Sequence, residues 1–257
     1  MRFTHTLHAE WVKLRSVRST WLTLATLFVV GLGITALTSF AGGEGYAELS
    51  PADRLEWDPT NLSLRSYIVA QLVIGVLGIL MVTSEFASGL MQMSLGATPR
   101  RHRLLAAKVL LAAALAVVVG EVLMVAAFTI GQLMLAAKDA PHAGLGDPGV
   151  LPAVLGGGLY LAAIALLSVG LGTILRSTAG ALATLVGIVF LVPALGGLFP
   201  DWLQKVLYFW PSQGGAQVLA TLPNPDLPHP WLYFGGMCAG IAAVLAAGFV
   251  LFRRRDV

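Results

Sequence analysis

The sequence predicts an all-α polytopic membrane protein with six transmembrane helices and both termini in the cytoplasm. Three observations predict this fold class. Charged residues make up 11% of the chain and apolar residues 57%, whereas soluble domains carry about 25% charged residues. Six apolar runs are long enough to cross a hydrocarbon core, which takes about 20 helical residues. Basic residues also gather beside alternate ends of these runs, as the positive-inside rule describes.

The spans are predicted to be helical because backbone groups in lipid have to be satisfied within the segment. They run approximately over Trp21–Ser39, Tyr67–Thr83, Val109–Leu135, Leu151–Leu175, Ala181–Phe199 and Trp231–Phe252. The first run is longer than the about 7–15 apolar residues of a signal peptide, so we expect a span there rather than a cleaved signal. The stretch Val206–Asn224 holds Pro211 and several polar residues, and a seventh crossing would carry Arg253–Arg255 outside. We therefore reject a seventh span.

Counts of Lys and Arg orient the chain. The N-terminal segment, the loop Ser84–Lys108, the turn Arg176–Gly180 and the C-terminus together hold twelve, and the other three loops hold four. Most acidic residues lie in those three loops. Six spans with both termini cytoplasmic satisfy the positive-inside rule throughout.

Three further segments show helical spacing of apolar residues and are predicted to lie at a membrane surface. The first precedes the first span, and its apolar positions are Phe3, Leu7, Trp11 and Leu14. The second lies within the loop Ser84–Lys108 and ends at Pro99, where a basic cluster follows. The third, Trp202–Trp210, is predicted to be a helix that lies at the outer interface or dips into the membrane.

Several function classes are excluded by the residues themselves. A P-loop needs Gly immediately before its Lys, and none of the four lysines has one. No His has the His-Glu-x-x-His context of a zinc protease. The net charge of +3 is too small and scattered for a nucleic-acid partner, and the single Cys238 allows no intrachain disulfide. We expect no cofactor or metal to be bound by this chain.

Glu121 is the acidic residue predicted to lie inside a span, about 18 Å along the third helix at 1.5 Å per residue. An intramembrane carboxyl group is costly and is by default a functional hypothesis. Two interpretations stay open. Glu121 either joins helices through a hydrogen bond, with Gln71 or Tyr160 as partner, or belongs to a substrate or proton pathway.

The loop Ser84–Lys108 is the most promising feature. It is either an ordinary basic loop that sets topology or a surface presented to a cytoplasmic partner or to anionic lipid. Its amphipathic helix, proline stop and basic cluster favour the second interpretation.

A set of short motifs resembles the membrane subunits of ABC-2 type exporters, specifically the small bacterial permeases that lack a fused ATPase. The motifs are Glu10-Trp11-Val12-Lys13-Leu14-Arg15-Ser16, Arg18-Ser19-Thr20-Trp21, Ser84-Glu85-Phe86 with Gly89, Pro99-Arg100-Arg101, Ala106-Ala107-Lys108 and Arg253-Arg254-Arg255-Asp256. The likeness covers nearly the whole chain, and residues 1–257 are expected to form a single ABC-2 type transmembrane domain.

The resemblance implies a connecting helix at the N-terminus and a coupling helix after the second span that docks on a nucleotide-binding subunit. It makes six residues candidates for ATPase contact: Glu85, Phe86, Gly89, Pro99, Arg100 and Arg101. It also implies a core of two membrane subunits and two ATPase subunits in the bacterial cytoplasmic membrane. The second membrane subunit is either a copy of this chain or a homologous permease. ATP and Mg²⁺ would be used by the ATPase.

The implied function is outward transport of a drug-, peptide- or lipid-like substrate by alternating access. Two other readings compete with it. One is an ATP-independent secondary transporter or channel that uses Glu121 as its proton or cation site. The other is a non-transporting sensor or immunity subunit that engages an ATPase.

Overall fold

The fold is described by a computed structural model over residues 3–97, 101–225 and 227–255. Within these ranges the secondary structure is helical, without a strand. The predicted all-α fold is thereby confirmed. The α-helices are α1 Phe3–Ser16, α2 Arg18–Gly45, α3 Pro51–Leu55, α4 Pro59–Leu64, α5 Tyr67–Ala87, α6 Leu90–Ala97, α7 Arg101–Ala136, α8 Val150–Leu175, α9 Thr178–Val186, α10 Val192–Ala194, α11 Asp201–Leu207 and α12 Pro230–Arg254.

Five helical segments of the described chain are long and apolar enough to cross a membrane. One of them consists of α4 and α5, which are consecutive. The other four are formed by α2, α7, α8 and α12. Each contains one of the predicted spans, so the chain is a multi-pass membrane protein. The helices extend beyond the predicted spans at several ends, because polar residues near the lipid boundary continue a helix that hydropathy alone does not record.

The fifth predicted span, Ala181–Phe199, is interrupted. Its apolar helix covers Thr178–Ala194 and contains a π-helical turn at Gly187–Leu191, where the Val192 N–H donates to the Gly187 carbonyl. Pro193 has no N–H and its ring crowds the preceding turn, which is a common reason for such a break. The Trp210 indole N–H donates to the Ile188 carbonyl at 2.5 Å in the same turn. The count of six crossings therefore stays a prediction.

Helix α8 lies at the centre of the bundle and packs against α5, α7 and α12. Glycines make this close packing possible. A Cβ atom at Gly120 of α7 would lie only 2.9 Å from the Gly158 carbonyl oxygen of α8. The two backbones thus approach as they do at small-residue contacts between membrane helices.

The predicted outer segment divides into two parts. Helix α11 is short and leaves Trp202 and Val206 exposed. A 3₁₀ turn, Gly215–Leu219, then packs against α8 and α12 with Val218 and Leu219 buried. The Asp58 carboxylate joins this region to the start of α4, since it accepts the backbone N–H of Asn61 at 2.8 Å and that of Thr221 at 2.7 Å.

Helix α1 packs on α7 with a polar face turned inward. Thr6 and Glu10 are buried one turn apart, whereas Phe3 and Trp11 are exposed. A soluble helix would show the opposite arrangement. The exposed face also carries His5, His8 and Arg15. A mixture of apolar and basic side chains is typical of a helix at a membrane surface, so the amphipathic spacing near the N-terminus fits a membrane-surface helix.

Candidate functional site

Four charged side chains meet where α1, α5 and α7 come together. Glu10 and Lys13 come from α1, Glu85 from the last turn of α5 and Lys108 from the second turn of α7. We call these four residues the ionic cluster. Glu10, Glu85 and Lys108 are 6%, 6% and 3% exposed. Charged residues are almost never buried to this degree unless they are paired.

The ion pairs of the ionic cluster cross between helices. The Lys108 Nζ lies 2.6 Å from Glu10 Oε2 and 2.8 Å from Glu85 Oε1. The Lys13 Nζ lies 2.7 Å from Glu10 Oε1 and 3.1 Å from Glu85 Oε1. Each lysine therefore bridges both carboxylates, and the N-terminal helix is joined to the ends of two long helices.

Each ammonium group has a third oxygen partner. Lys13 donates to the Ser94 hydroxyl of α6 at 2.9 Å, and Lys108 donates to the Met81 carbonyl of α5 at 3.2 Å. Lys13 therefore donates three hydrogen bonds, which is the full number for an ammonium group. Lys108 donates two and forms an ion pair with Glu85 in addition. The contact through Ser94 also brings α6 into the same network.

The two α1 members of the ionic cluster have shifted pKa values. Burial would raise the pKa of Glu10, but the charge and hydrogen bond of Lys108, reinforced by Lys13, outweigh burial and hold it below its ordinary value. Burial would lower the pKa of Lys13, but its hydrogen bond to Glu10 and the carboxylate charges hold it above its ordinary value. Both groups are therefore held in their charged forms.

The segment that follows α5 turns sharply. Gly89 has a φ of 73°, a conformation that glycine adopts without steric cost, and α6 begins at the next residue. Ser88, Gly89 and Leu90 are exposed, as is Met93. This turn and the outer face of α6 form what we call the α6 surface.

The predicted coupling residues occupy different positions. Glu85 is buried in the ionic cluster, whereas Gly89 lies on the α6 surface. Phe86 packs edge-to-face on Phe252 with ring centroids 6.3 Å apart. The Arg101 guanidinium donates to the Arg255 carbonyl at 2.8 Å. Pro99 and Arg100 lie outside the described residues.

The polar residues inside the bundle do not meet as predicted. The Tyr160 hydroxyl donates to Gln71 Oε1 at 2.5 Å, and the Gln71 amide donates to the Ile68 carbonyl at 3.0 Å. The side chains that we expected as partners of Glu121 thus pair with each other. Glu121 instead lies against Gly158, and its buried Oε2 has no hydrogen-bond partner among the described residues.

Sequence reasoning missed the ionic cluster as a unit. It used Lys13 and Lys108 to orient the chain and to exclude a P-loop, and otherwise recorded them, like Glu10, only within motifs. One signal was available: Glu10 lies three residues after Leu7 and four before Leu14, on the same helix face. A carboxylate on an apolar stripe predicts a buried charge with a partner.

The amino-acid sequence was compared with known protein families. Residues 6–194 match the family described as ABC-2 family transporter protein. No curated protein matches the chain. The matched range contains all four residues of the ionic cluster and four of the five long helices. Because it covers more than half of the sequence, the chain belongs to the ABC-2 transporter family.

Proposed function

We propose that this protein is the permease subunit of an ABC-2 type exporter that moves a drug-, peptide- or lipid-like substrate outward. The observation that carries the proposal is the ionic cluster. It joins α1, α5, α6 and α7, so a force applied to α6 is transmitted to the ends of two long helices instead of being absorbed by a loop. Family membership supports the same function.

The proposed topology has six crossings with both termini inside the bacterial cytoplasm. It takes α9, the π turn and the residues to Phe199 as the interrupted crossing. The positive-inside rule supports this orientation, since Arg101, Arg103 and Arg253–Arg255 lie at the same end of the bundle as the ionic cluster. The acidic loop with α3 and α4 would then face outward.

The proposed docking site for the ATPase is the α6 surface. Leu90 and Met93 are 43% and 66% exposed there, and apolar side chains at the centre of an interface carry much of its affinity. Among the coupling candidates, Gly89 shapes the turn, and Phe86 and Arg101 flank the site; Pro99 and Arg100 stay candidates from the sequence alone. Glu85 is buried behind the α6 surface, and its ion pairs with Lys13 and Lys108 would hold the end of α5 against α1 and α7.

In the proposed mechanism, ATP binding closes two ATPase subunits and shifts the docked α6 of each permease. Rigid connection through the ionic cluster would turn this shift into a tilt of α5 and α7 and open the pathway outward. Two-state rearrangements of packed helices give such an amplification. The second permease is a copy or a homologue, and ATP and Mg²⁺ are consumed on the partner subunits.

Co-purification tests this function. The tagged chain is isolated from its native membranes, bound chains are identified by mass spectrometry, and ATP hydrolysis is measured. We expect an ABC ATPase in amounts equal to the permease. Met93→Asp should reduce its recovery at least about tenfold, because a charge buried in an interface costs several kcal/mol.

Leu55→Asp is the matched control, because Leu55 is 83% exposed in α3, in the acidic loop. ATPase recovery should be unchanged in this variant. A chain that transports substrate after purification without any ATPase would contradict the proposal.

Glu121 supports a second candidate, an ATP-independent transporter or channel. The supporting observation is its buried oxygen Oε2, which has no hydrogen-bond partner in the described part of the chain, because an intramembrane carboxyl group often marks an ion or proton pathway. Transport by Glu121→Gln in reconstituted vesicles separates the two. If the unmodified chain transports substrate in vesicles that contain no ATPase and Glu121→Gln does not, the second candidate is favoured. If transport is the same in Glu121→Gln, the second candidate is excluded.

A further inference from the structure

A cavity of about 260 Å³ lies beside the ionic cluster, at the elbow where α1 ends and α2 begins. Ser19 and Thr20, in the first turn of α2, line one side of it. Leu77 and Leu80 of α5 line an apolar side. Val17, in the lining, is 47% exposed. The cavity therefore opens at the protein surface, next to the membrane-surface helix α1.

The start of α2 carries hydrogen-bond donors without acceptors. The first N–H groups of a helix need partners from outside the helix. No described residue accepts the backbone N–H of Arg18 or Ser19, and Val17 at the N-cap position supplies no side-chain acceptor. The hydroxyls of Ser19 and Thr20 also donate to no residue in the described ranges. Three consecutive residues thus hold four unused donors at this end of the cavity.

Thr20 is the donor that most needs a ligand. Its side chain is only 8% exposed, and a buried polar group without a hydrogen bond is costly. Thr23, less than one turn further along α2, lines the same cavity, but its hydroxyl donates to the Ser19 carbonyl at 2.8 Å. Thr20 lacks such an acceptor one turn back, because the chain is extended at Val17. A ligand in the cavity would supply it.

The charges around the cavity favour an anion. Both oxygens of Glu10 are in ion pairs with the two lysines of the ionic cluster, and so is Glu85 Oε1. Glu85 Oε2 is buried and out of a ligand's reach. The two carboxylates and the two lysines therefore cancel. The N-terminus of α2 adds about half a positive charge, and Arg15 and Arg18 are exposed on either side of the elbow.

We propose that this cavity binds a phosphate group that carries an apolar chain. The phosphate accepts hydrogen bonds from the Ser19 and Thr20 hydroxyls and from the free N–H groups at the start of α2, as anions do at other helix N-termini. The chain lies along Leu77 and Leu80 and leaves past the exposed rim. This site lies within one subunit and does not depend on an ATPase or on the proposed transport route.

Native mass spectrometry of the delipidated protein tests the proposal with matched probes. Dodecyl phosphate should bind at least about tenfold more tightly than dodecanol or dodecylamine, because only the phosphate offers charged acceptors to the four donors. Phosphatidylglycerol and diacylglycerol form the lipid pair, since only the first has a phosphate. Binding of both dodecyl phosphate and phosphatidylglycerol identifies a bilayer lipid as a source, and binding of dodecyl phosphate alone identifies a free amphiphile. Either result supports the site.

Two threonines in the same cavity provide a matched pair of variants. Thr20→Val removes an unused donor at nearly constant size and should weaken dodecyl phosphate binding about tenfold, because a hydrogen bond to a charged group is lost. Thr23→Val removes a hydroxyl whose hydrogen is already donated to the backbone, so it should leave binding unchanged. Ser19→Ala, at an exposed position, should weaken binding as Thr20→Val does.

A second pair of variants locates the chain of the ligand. Leu80→Trp fills the apolar side of the cavity and should weaken dodecyl phosphate binding at least about tenfold. Leu37→Trp, on the exposed face of α2, is the control and should leave it unchanged. Two results would overturn the proposal. One is dodecyl phosphate binding no tighter than that of dodecanol or dodecylamine, and the other is equal binding of dodecyl phosphate by Thr20→Val and Thr23→Val.

Discussion

Lys108 is the residue on which the ionic cluster depends most. Its side chain is 4% exposed, against 39% for Lys13, so water cannot replace it as a partner for the two carboxylates. Desolvating these charges is costly, and their mutual attraction offsets that cost only while every partner is present. The cluster therefore contributes to specificity of helix placement more than to net stability.

Lys108→Met should destabilise the protein by about 3–5 kcal/mol, because it leaves two buried carboxylates with one partly exposed cation. The unfolding midpoint in detergent, followed by tryptophan fluorescence, measures the loss. Lys138→Met is the control, since its ion pair with Glu44 is 2.7 Å long but its partner is 55% exposed. That variant should lose at most about 1 kcal/mol. Equal losses in the two variants would contradict the role assigned to Lys108.

The shifted pKa values predict how the stability depends on pH. The pKa of Glu10 lies below its ordinary 4.5, so its stabilising contribution is complete above pH 4.5 and is lost as the pH falls through the lowered value. The pKa of Lys13 lies above its ordinary 10.5, so its contribution is complete below pH 10.5 and is lost as the pH rises further. The unfolding midpoint should fall at both extremes. In Glu10→Gln the acid-side fall should be smaller, and an identical acid limb would contradict this assignment.

At the scale of elements, the bundle depends on close helix contacts and on one interrupted helix. Helix α8 is buried over most of its length because its small residues let α5 and α7 approach. The segment from α9 to α10 is exposed on one side and broken by a π turn. The bundle thus has a packed centre beside a broken peripheral helix, and π turns frequently mark functional sites.

Gly120→Ala should separate α7 from α8. Its Cβ would press on a backbone carbonyl, which cannot move without shifting a helix, and overpacking of this kind costs about 1–3 kcal/mol. Gly33→Ala in α2 is the matched control, because no atom lies within 4 Å of its added Cβ. That variant should be neutral or stabilised by about 0.5–1 kcal/mol through reduced backbone entropy. Thermal unfolding of both variants checks the pair, and equal midpoints would argue against close packing at Gly120.

At the scale of the whole molecule, charge separates the two ends of the bundle. Ion pairs within the ionic cluster leave the surrounding arginines in excess at one end, and the acidic residues of the loop between α2 and α5 lie at the other. The membrane potential and anionic lipids favour the basic end on the cytoplasmic side. The proposed orientation follows from this asymmetry.

Cysteine labelling tests the orientation in a Cys238→Ala background. Leu55→Cys and Arg254→Cys place thiols at two exposed positions. A membrane-impermeant maleimide should label the first in intact cells and the second only after permeabilisation. Labelling of Arg254→Cys in intact cells would reverse the proposed topology at α12.

The α-helical class and the five long helices were determined by the sequence itself. Hydrophobic length and the need to satisfy the backbone in lipid are local properties, readable along one segment at a time. The interruption at Gly187–Leu191 was harder to predict, because Pro193 can kink, end or remain within a membrane helix according to the groups around it. Here Trp210, from a separate segment, donates to the broken turn.

Only the tertiary structure decided which polar groups meet. Glu10 and Lys108 are separated by 98 positions and Tyr160 and Gln71 by 89, and spacing along a helix says nothing about neighbours from other helices. The sequence predicted Glu85 as a contact residue and Glu121 as a partner of Gln71 or Tyr160. In the fold, Glu85 is buried between two lysines and Glu121 lies against Gly158. The physical reason is that a buried charge is placed by the partners that offset its desolvation, and those partners come from whichever helices pack together.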